Sequence, residues 1–190
     1  HIVFEISALG GLMPQLCTKS YLQAKMLNTS KGPAVQGLRL QIDKKKYAVE
    51  AQKALENTAN LTIIEDMVDE IVLNDQKVVC GVVTSKGDRY HASTVILTSG
   101  TFLNGLVHLG QESYPAGRRD EQAVVKLAEC IKSFGLKMGR MKTGTPPRLL
   151  RSTINFQGLE EDISDSLHYL YEFEPHTVKH SMSCLSLIHI

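Results

Sequence analysis

The run Thr94-Val95-Ile96-Leu97-Thr98 constrains the fold more than any other segment, because its three central residues are all apolar. A strand that faces water on one side alternates apolar and polar residues, whereas an uninterrupted apolar run suits a parallel sheet that is covered on both faces. The run ends at Ser99-Gly100-Thr101. In open α/β sheets, ligands bind beside such strand ends. We therefore expect an α/β fold with a nucleotide-binding edge here; a plain strand-to-loop turn is the alternative.

Short β segments rich in β-branched residues precede this run. In chain order they are 61–64, 70–73, 78–84 and 89–92. Polar turn residues at 74–77 and 85–88 separate the last three segments and favour hairpins. The pattern predicts one isolated strand at 61–64, followed by an antiparallel β-meander.

Two amphipathic helices are predicted from apolar residues that recur at helical spacing. The first runs from Gln36 to about Asn57, with an inward face formed by Leu40, Tyr47, Ala51, Ala54 and Leu55. The second runs from Glu121 to Phe134, with an inward face formed by Leu127, Ala128, Ile131 and Phe134. Gly135 suits the end of the second helix. Residues 1–35 are rich in turn formers, and we expect irregular loops there.

Composition narrows the class of protein. The chain has 190 residues, of which 43% are hydrophobic and 22% charged, as in ordinary globular proteins. It contains 21 Lys or Arg and 20 Asp or Glu, so no overall basic field marks a nucleic-acid-binding protein. Any contact with RNA must come from a local basic patch. No apolar run reaches the roughly 18 residues of a membrane span, so we predict no membrane association.

Several familiar site motifs are absent. The sequence has no GxGxxG, no GxxxxGK[ST] and no HExxH. The four cysteines are far apart and form no CxxC, which favours reduced structural thiols over zinc ligands. His176 and His180 have helical metal-ligand spacing but no third ligand nearby, so we predict no metal site.

A basic loop follows the second predicted helix. Residues 139–148 contain Arg140, Lys142 and Arg148, two threonine hydroxyls and a stiff Pro-Pro pair. Cations and hydroxyls on a rigid loop suit phosphate binding. A solvated surface loop is the alternative that the residues leave open.

Four segments resemble one known family in order and in spacing. They are SALGGLM at 7–13, LNTSKGPAV at 27–35, VILTSGTFLNG at 95–105 and RMKTGTPPR at 140–148. Together they closely resemble the MnmG/GidA family of FAD-dependent tRNA wobble-uridine modification enzymes. The resemblance extends from about Ala8 to about Phe156.

The resemblance implies a partial FAD-binding two-dinucleotide-binding-domain flavoprotein fold with a β-meander. Members of this family take hydride from NADH and work as homodimers with a GTPase partner, MnmE. They build a carboxymethylaminomethyl-type group at C5 of the wobble uridine in certain tRNAs, with carbon from a methylene-folate donor. This implies tRNA as the substrate and FAD as the cofactor.

The resemblance also implies site residues. Val68 is expected to contact the adenine side of FAD through its backbone, with Thr98, Gly100 and Thr101 near the cofactor. Charge and family context together place Lys31, Arg140, Lys142 and Arg148 nearest tRNA or flavin. The sequence departs from the family pattern in two ways. Val124 stands where a serine that contacts FAD is expected, and no cysteine matches the catalytic positions, so we assign no catalytic thiol.

The chain begins with His1 rather than Met, and we expect it to be an interior piece that lacks the N-terminal Rossmann βαβ unit. Residues 1–156 would be part of the FAD-binding domain. Residues 157–190 would start an inserted second domain, with a tail that leaves the family pattern from about 179. We expect the piece alone to retain little FAD and to be inactive. The resemblance implies a cytoplasmic location, with the mitochondrion as the alternative.

Two other functions remain open from the sequence. One uses related chemistry: a folate-dependent tRNA uracil methyltransferase, or a generic FAD oxidoreductase. The other belongs to a different class: a non-catalytic remnant that binds RNA or a protein partner without flavin.

Overall fold

The computed structural model describes residues 1–173 and 182–185. The chain divides into two compact units, which are considered separately below. Unit 1 comprises His1–Thr62 together with Leu149–Ile190, and unit 2 comprises Ile63–Arg148. Both units contain strands and helices, which confirms the predicted mixed α/β content.

The helices and strands follow one another along both units. In chain order they are α1 (Ile2–Ala8), α2 (Leu12–Ser20), β1 (Tyr21–Leu27), β2 (Gly37–Ile42), α3 (Lys44–Glu56), β3 (Val68–Leu73), β4 (Val79–Thr84), β5 (Arg89–His91), β6 (Leu106–Leu109), β7 (Glu112–Pro115), α4 (Lys126–Ser133), β8 (Glu161–Asp162) and β9 (Cys184–Leu185).

The prediction of irregular loops over residues 1–35 is wrong for most of that range. It holds α1, α2 and β1, and only the turns that follow them are irregular. Pro14 is compatible with a helix here, because it lies in the first turn of α2, where a missing N–H costs no helical hydrogen bond. Leu16 and Cys17 on the same helix are buried, so tertiary packing stabilises α2.

The first predicted helix begins later than expected. Residues 37–42 form β2, which pairs antiparallel with β1, so Leu40 belongs to a strand. Asp43 starts α3, because its Oδ1 accepts hydrogen bonds from the backbone N–H groups of Lys45 and Lys46 at 3.0 and 3.1 Å. A carboxylate at this position satisfies N–H groups that have no partner within the helix. The predicted helix end at Asn57 is confirmed.

Unit 2 is organised around the predicted β-meander. The strands β3, β4 and β5 form an antiparallel three-stranded sheet in that order, so the meander is confirmed. Helix α4 packs on β3, where Leu127 and Ile131 join Ile71 in the hydrophobic core. Gly135 follows the helix with φ at +79°, as expected for a helix stop. Phe134 is wrong as an inward residue, because it lies beyond the last turn of α4 and is 39% exposed.

The two remaining predicted strands do not form. Neither 61–64 nor 94–98 pairs with another segment within the described residues. Ile63 is 61% exposed and Ile96 is 82% exposed, so these runs do not lie in a covered sheet. A strand requires a partner for its backbone N–H and C=O groups, and the described part of the chain supplies none here. The predicted parallel sheet is therefore absent from the described residues.

No helix within residues 1–173 is long and apolar enough to cross a membrane. His176 and His180, which were considered as metal ligands, lie outside the described residues.

Candidate functional site

The turn after the apolar run, which we call the cofactor turn, comprises residues 98–105. Thr101 Oγ1 donates a hydrogen bond to the carbonyl of Gly117 at 3.0 Å. The N–H of Asn104 donates to Val124 O at 2.9 Å, and the N–H of Val124 donates to Phe102 O at 2.8 Å. Three hydrogen bonds therefore hold one side of the cofactor turn to residues 117–124.

The other side of the cofactor turn is open. Gly100 has φ at +57°, and no atom lies within 4 Å of the position that a Cβ would occupy. Glycine adopts this conformation without strain and allows a ligand to approach the backbone closely. Thr98 is also exposed, and its hydroxyl can donate and accept hydrogen bonds. Gly100 and Thr98 are therefore accessible to a ligand, but the covered sheet edge from which the nucleotide site was predicted does not form among the described residues.

Val68, the fourth predicted cofactor residue, lies at the start of β3. It pairs with Thr84 across the sheet, and its half-buried side chain packs against the core of unit 2. Val95, in the run that leads into the cofactor turn, packs against the same core. The core thus joins β3 to the segment that carries the other three predicted residues.

The basic loop, residues 139–148, has no helix or strand and is exposed throughout. Residues 130–148 contain five Lys or Arg and no Asp or Glu. In the part of the chain that the structure describes, Arg140, Lys142 and Arg148 form no ion pair. No carboxylate among the described residues neutralises these charges, so this surface can attract phosphate.

Lys31 belongs to a different unit from Arg140, Lys142 and Arg148, which lie in unit 2. It lies in unit 1, in the exposed turn between β1 and β2, where its backbone N–H donates to Asn28 O at 2.9 Å. The structure brings Arg140 to the cofactor turn, where its Nη1 donates to Asn104 O at 3.2 Å. Lys142 and Arg148 make no such contact with the turn among the described residues.

Arg118 was not predicted to contribute to the site. Its Nη2 lies 2.9 Å from Glu121 Oε2, and its guanidinium stacks over the Phe102 ring at 5.4 Å. It therefore helps to hold the cofactor turn against residues 117–121. The Gly117-Arg118 pair offered a weak signal, but nothing in the sequence indicated Phe102 as its partner.

Unit 1 contains a polar cluster that the sequence did not reveal. Lys25 Nζ lies 2.9 Å from both Asp162 Oδ1 and Asp165 Oδ1. The side-chain amide of Gln23, fully buried, donates to Asp162 O at 2.7 Å. We call this group, in which residues 162–165 dock on β1, the Lys25 clamp. The residues of β1 and residues 162–165 lie about 140 positions apart in the sequence, and no local pattern predicts such a contact.

Cys17 is buried, whereas the other three cysteines are partly exposed. All four are free, and burial raises the pKa of the Cys17 thiol. A raised pKa keeps the thiol protonated and unreactive. Among the described residues no group of three or more His, Cys, Asp or Glu side chains is arranged to hold a metal ion.

Comparison with known proteins identifies close relatives. The family model for glucose inhibited division protein A matches residues 1–186. The tRNA uridine 5-carboxymethylaminomethyl modification enzyme MnmG of Thermodesulfovibrio yellowstonii is 52% identical over 165 residues, which cover 87% of this chain and 26% of that protein. The protein of the same name from Chlamydia caviae is 42% identical over 176 residues, covering 92% of this chain and 29% of that protein.

A solved structure agrees with these relatives. GidA of Aquifex aeolicus, in its form I crystal, matches with a TM-score of 0.85 and 37% identity, covering 97% of this chain and 32% of that one. The chain thus spans about a quarter to a third of the length of the relatives that it matches.

Proposed function

Because this chain belongs to the glucose inhibited division protein A (GidA) family, we propose that it is part of an FAD-dependent tRNA modification enzyme. The enzyme would build a carboxymethylaminomethyl-type group at C5 of the wobble uridine. One observation carries the proposal: 87% of the chain aligns at 52% identity with a relative named for this activity. The TM-score of 0.85 to Aquifex aeolicus GidA supports it.

We also propose the finer features that family membership suggests. NADH would be the reductant, a methylene-folate would supply the carbon, and the GTPase MnmE would be the partner of a homodimer. Residues 1–156 would belong to the FAD-binding domain, and residues 157–190 would begin an inserted second domain. The enzyme would work in the cytoplasm, with the mitochondrion as the alternative.

We propose that Val68, Thr98, Gly100 and Thr101 contact the cofactor. The open space beside Gly100 supports this, since a bound ligand can reach the backbone there. The hydroxyl proton of Thr101 is engaged by Gly117 O, so its oxygen remains available to accept a hydrogen bond from the ligand. FAD, when bound, supplies the redox chemistry, while these residues would position it.

Gly100→Val tests the cofactor turn in the full-length enzyme that contains this chain. Valine would fill the open space beside the backbone and would be strained at φ +57°. We expect affinity for FAD to fall by about tenfold, equivalent to roughly 1.4 kcal/mol. Visible flavin absorbance per mole of purified protein measures the loss. Gly110→Val is the matched control, because its Cβ position is also open and its φ is also positive at +62°, but it lies in the turn between β6 and β7. Full flavin occupancy in Gly100→Val would contradict the assignment.

Lys31, Arg140, Lys142 and Arg148 are proposed to lie nearest tRNA or flavin. The unpaired charges of Lys142 and Arg148 support contact with phosphate, because neutralising phosphates releases condensed counterions. A site of this kind binds more weakly as salt concentration rises.

The double variant Lys142→Gln, Arg148→Gln tests RNA binding in the same enzyme. We expect weaker binding of a tRNA transcript and a slope of log affinity against log salt that is shallower by about 1.4 for two lost contacts. Filter binding across a salt series measures both quantities. Lys44→Gln, Lys45→Gln removes two exposed charges from α3 in unit 1 and serves as the control. An unchanged slope in the loop variant would refute this role for the basic loop.

A further inference from the structure

Arg140 differs from the other cations of the basic loop in its contact with the cofactor turn. Its guanidinium Nη1 donates to the carbonyl oxygen of Asn104 at 3.2 Å, across 36 residues of sequence. Lys142 and Arg148 are exposed and make no such link within the described residues. One hydrogen bond thus connects the loop proposed to bind RNA with the turn proposed to bind FAD.

Asn104 lies in a conformation that needs support. Its φ is +46°, which non-glycine residues adopt rarely and usually in turns. Its N–H is held by Val124 O at 2.9 Å, and its carbonyl is held by Arg140. Without the hydrogen bond from Arg140, the carbonyl group of Asn104 would lose its support. The end of the cofactor turn, at Asn104 and Gly105, would then be held less firmly.

Gly105, the next residue, shows how tightly this part of the turn is packed. A Cβ on Gly105 would lie 2.5 Å from Ala116 O and 2.6 Å from Thr101 O. The carbonyl oxygen of Gly105 also accepts a hydrogen bond from Ala116 N at 3.2 Å, and the N–H of Gly105 donates to Phe102 O at 3.1 Å. The end of the turn is therefore packed against its beginning and against Ala116, so a displacement of Asn104 would meet both.

The chemistry of arginine allows two contacts at once. A guanidinium has five N–H donors in a planar fork, so one can hold Asn104 O while others bind a phosphate oxygen. Lysine has a single ammonium at the end of a flexible chain and cannot reproduce this geometry. The residue type at 140 therefore suits a bridge between the turn and a phosphate.

We propose that Arg140 is a positioning residue that couples RNA binding on the basic loop to FAD binding at the cofactor turn. A phosphate held by Arg140 would order its side chain and thereby strengthen the bond to Asn104 O. By thermodynamic reciprocity, FAD must then raise the affinity for RNA by the same factor by which RNA raises the affinity for FAD. We expect about fivefold, the lower end of typical couplings, because one exposed hydrogen bond carries it. The coupling rests on the proposed function.

Arg140→Lys tests the coupling in the full-length enzyme, because it keeps the charge and removes the fork. The probe is an unmodified tRNA transcript with uridine at the wobble position. Its dissociation constant is measured with and without FAD, and the ratio of the two values is the coupling factor. We expect about fivefold in the wild-type enzyme, near unity in Arg140→Lys, and an unchanged salt dependence in that variant.

Lys142→Gln is the matched control, because it lies in the same loop and does not contact the turn. We expect it to flatten the salt dependence and to keep the wild-type coupling factor. Melting temperatures of both variants show whether either substitution simply unfolds the protein. A second measurement is amide hydrogen exchange over residues 99–105 with and without the transcript. We expect RNA to slow exchange in the wild-type enzyme and to have no such effect in Arg140→Lys.

The outcomes distinguish a failure of the proposed function from a failure of the coupling alone. If wild-type enzyme binds neither FAD nor the transcript, the proposed function is wrong and the coupling falls with it. If both bind but the wild-type coupling factor is unity, or if it persists at about fivefold in Arg140→Lys, the coupling alone is overturned.

Discussion

Replacing Gly81 with alanine is expected to separate β4 from β5 and to destabilise unit 2 by about 3 kcal/mol. An added Cβ would lie 2.2 Å from the carbonyl oxygen of Tyr90 and 3.2 Å from Cα of His91. Both are backbone atoms of the paired strand, so no side-chain rotation can relieve the overlap. The strands must move apart, and their hydrogen bonds are lost.

The local geometry explains why glycine occupies this position. Val72 pairs with Gly81 and Leu73 pairs with Val79, so Cys80 is the extra residue of a β-bulge. This bulge lies in the β3–β4 ladder and increases the local twist of β4, while the other edge of β4 approaches the backbone of β5 at Gly81. Glycine in a strand interior otherwise weakens the sheet, which makes its presence here a sign of this close approach.

Urea unfolding of the 190-residue chain, followed by circular dichroism, measures this effect. Gly139→Ala is the control, since nothing lies within 4 Å of its Cβ position and we expect a change within about 0.5 kcal/mol. NMR contacts between Val82 and Tyr90 should disappear in Gly81→Ala. A Gly81→Ala protein with wild-type stability would show that the strands do not approach as described.

The second large effect is expected for Asp165→Ala, which dismantles the Lys25 clamp. Asp165 Oδ1 lies 2.9 Å from Lys25 Nζ, and Oδ2 accepts a hydrogen bond from Met26 N at 2.8 Å. Alanine leaves the Met26 N–H without this partner and Lys25 with Asp162 alone. We expect unit 1 to lose about 2 kcal/mol, because the partly buried Met26 N–H and the Lys25 ammonium each lose a hydrogen bond to a charged carboxylate.

Controls separate the clamp from ordinary surface charge. Asp165→Asn keeps an oxygen for the Met26 N–H but loses the ion pair, so we expect an intermediate loss. Lys53→Ala removes an exposed ion pair with Glu50 on α3 and is expected to change stability by less than about 0.5 kcal/mol. Thermal unfolding and limited proteolysis near residue 165 measure the changes. If Asp165→Ala is no worse than Lys53→Ala, the clamp contributes nothing to stability.

The clamp should also give unit 1 a defined pH dependence. Hydrogen bonds from Lys25 and from the Met26 N–H lower the pKa of Asp165 below its ordinary 3.8. The contribution of Asp165 to the free energy of unfolding is therefore complete above about pH 4 and is lost as pH falls through the lowered pKa. Hydrogen bonds to Asp165 and Asp162 raise the pKa of Lys25 above 10.5. The contribution of Lys25 to the free energy of unfolding is therefore complete below about pH 10 and is lost as pH rises through the raised pKa.

Asp165→Asn tests the acid side of this window. The variant should lose stability less steeply than wild type as the solution is acidified below about pH 4. Asp66 in unit 2 also has a lowered pKa: desolvation opposes the shift, and the hydrogen bond from Met67 N together with the charge of Lys86 outweighs it. Unit 2 is therefore expected to keep an acid-dependent step in the variant.

Local sequence signals predicted the elements that depend on neighbouring residues. The meander was predicted correctly because each strand and each turn is specified within about ten residues. Helical spacing predicted three of the four inward residues of the second helix correctly, but α4 begins at Lys126 rather than at the predicted Glu121, and Phe134 lies beyond it. The basic loop was predicted because Pro146, Pro147 and two glycines prevent regular structure.

Elements that depend on distant partners were predicted poorly. Residues 94–98 have the composition of a buried strand but find no partner among the described residues. Residues 37–42 have a helix-compatible pattern, yet they pair with β1 and form the strand β2. For residues 37–42, pairing with β1 outweighed local propensity, which is a weak preference. For residues 94–98, the lack of a pairing partner among the described residues left the strand unformed.

The sequence by itself determined the family, the meander, α4 and the charge of the basic loop, because motifs and periodicity are local properties of the chain. Only the tertiary structure decided that Lys25 meets Asp165 and that Arg140 reaches Asn104. Such contacts depend on how the intervening residues fold, and no spacing along the chain encodes them. The Lys25 clamp and the hydrogen bond from Arg140 to Asn104 O could therefore be identified only in the folded molecule.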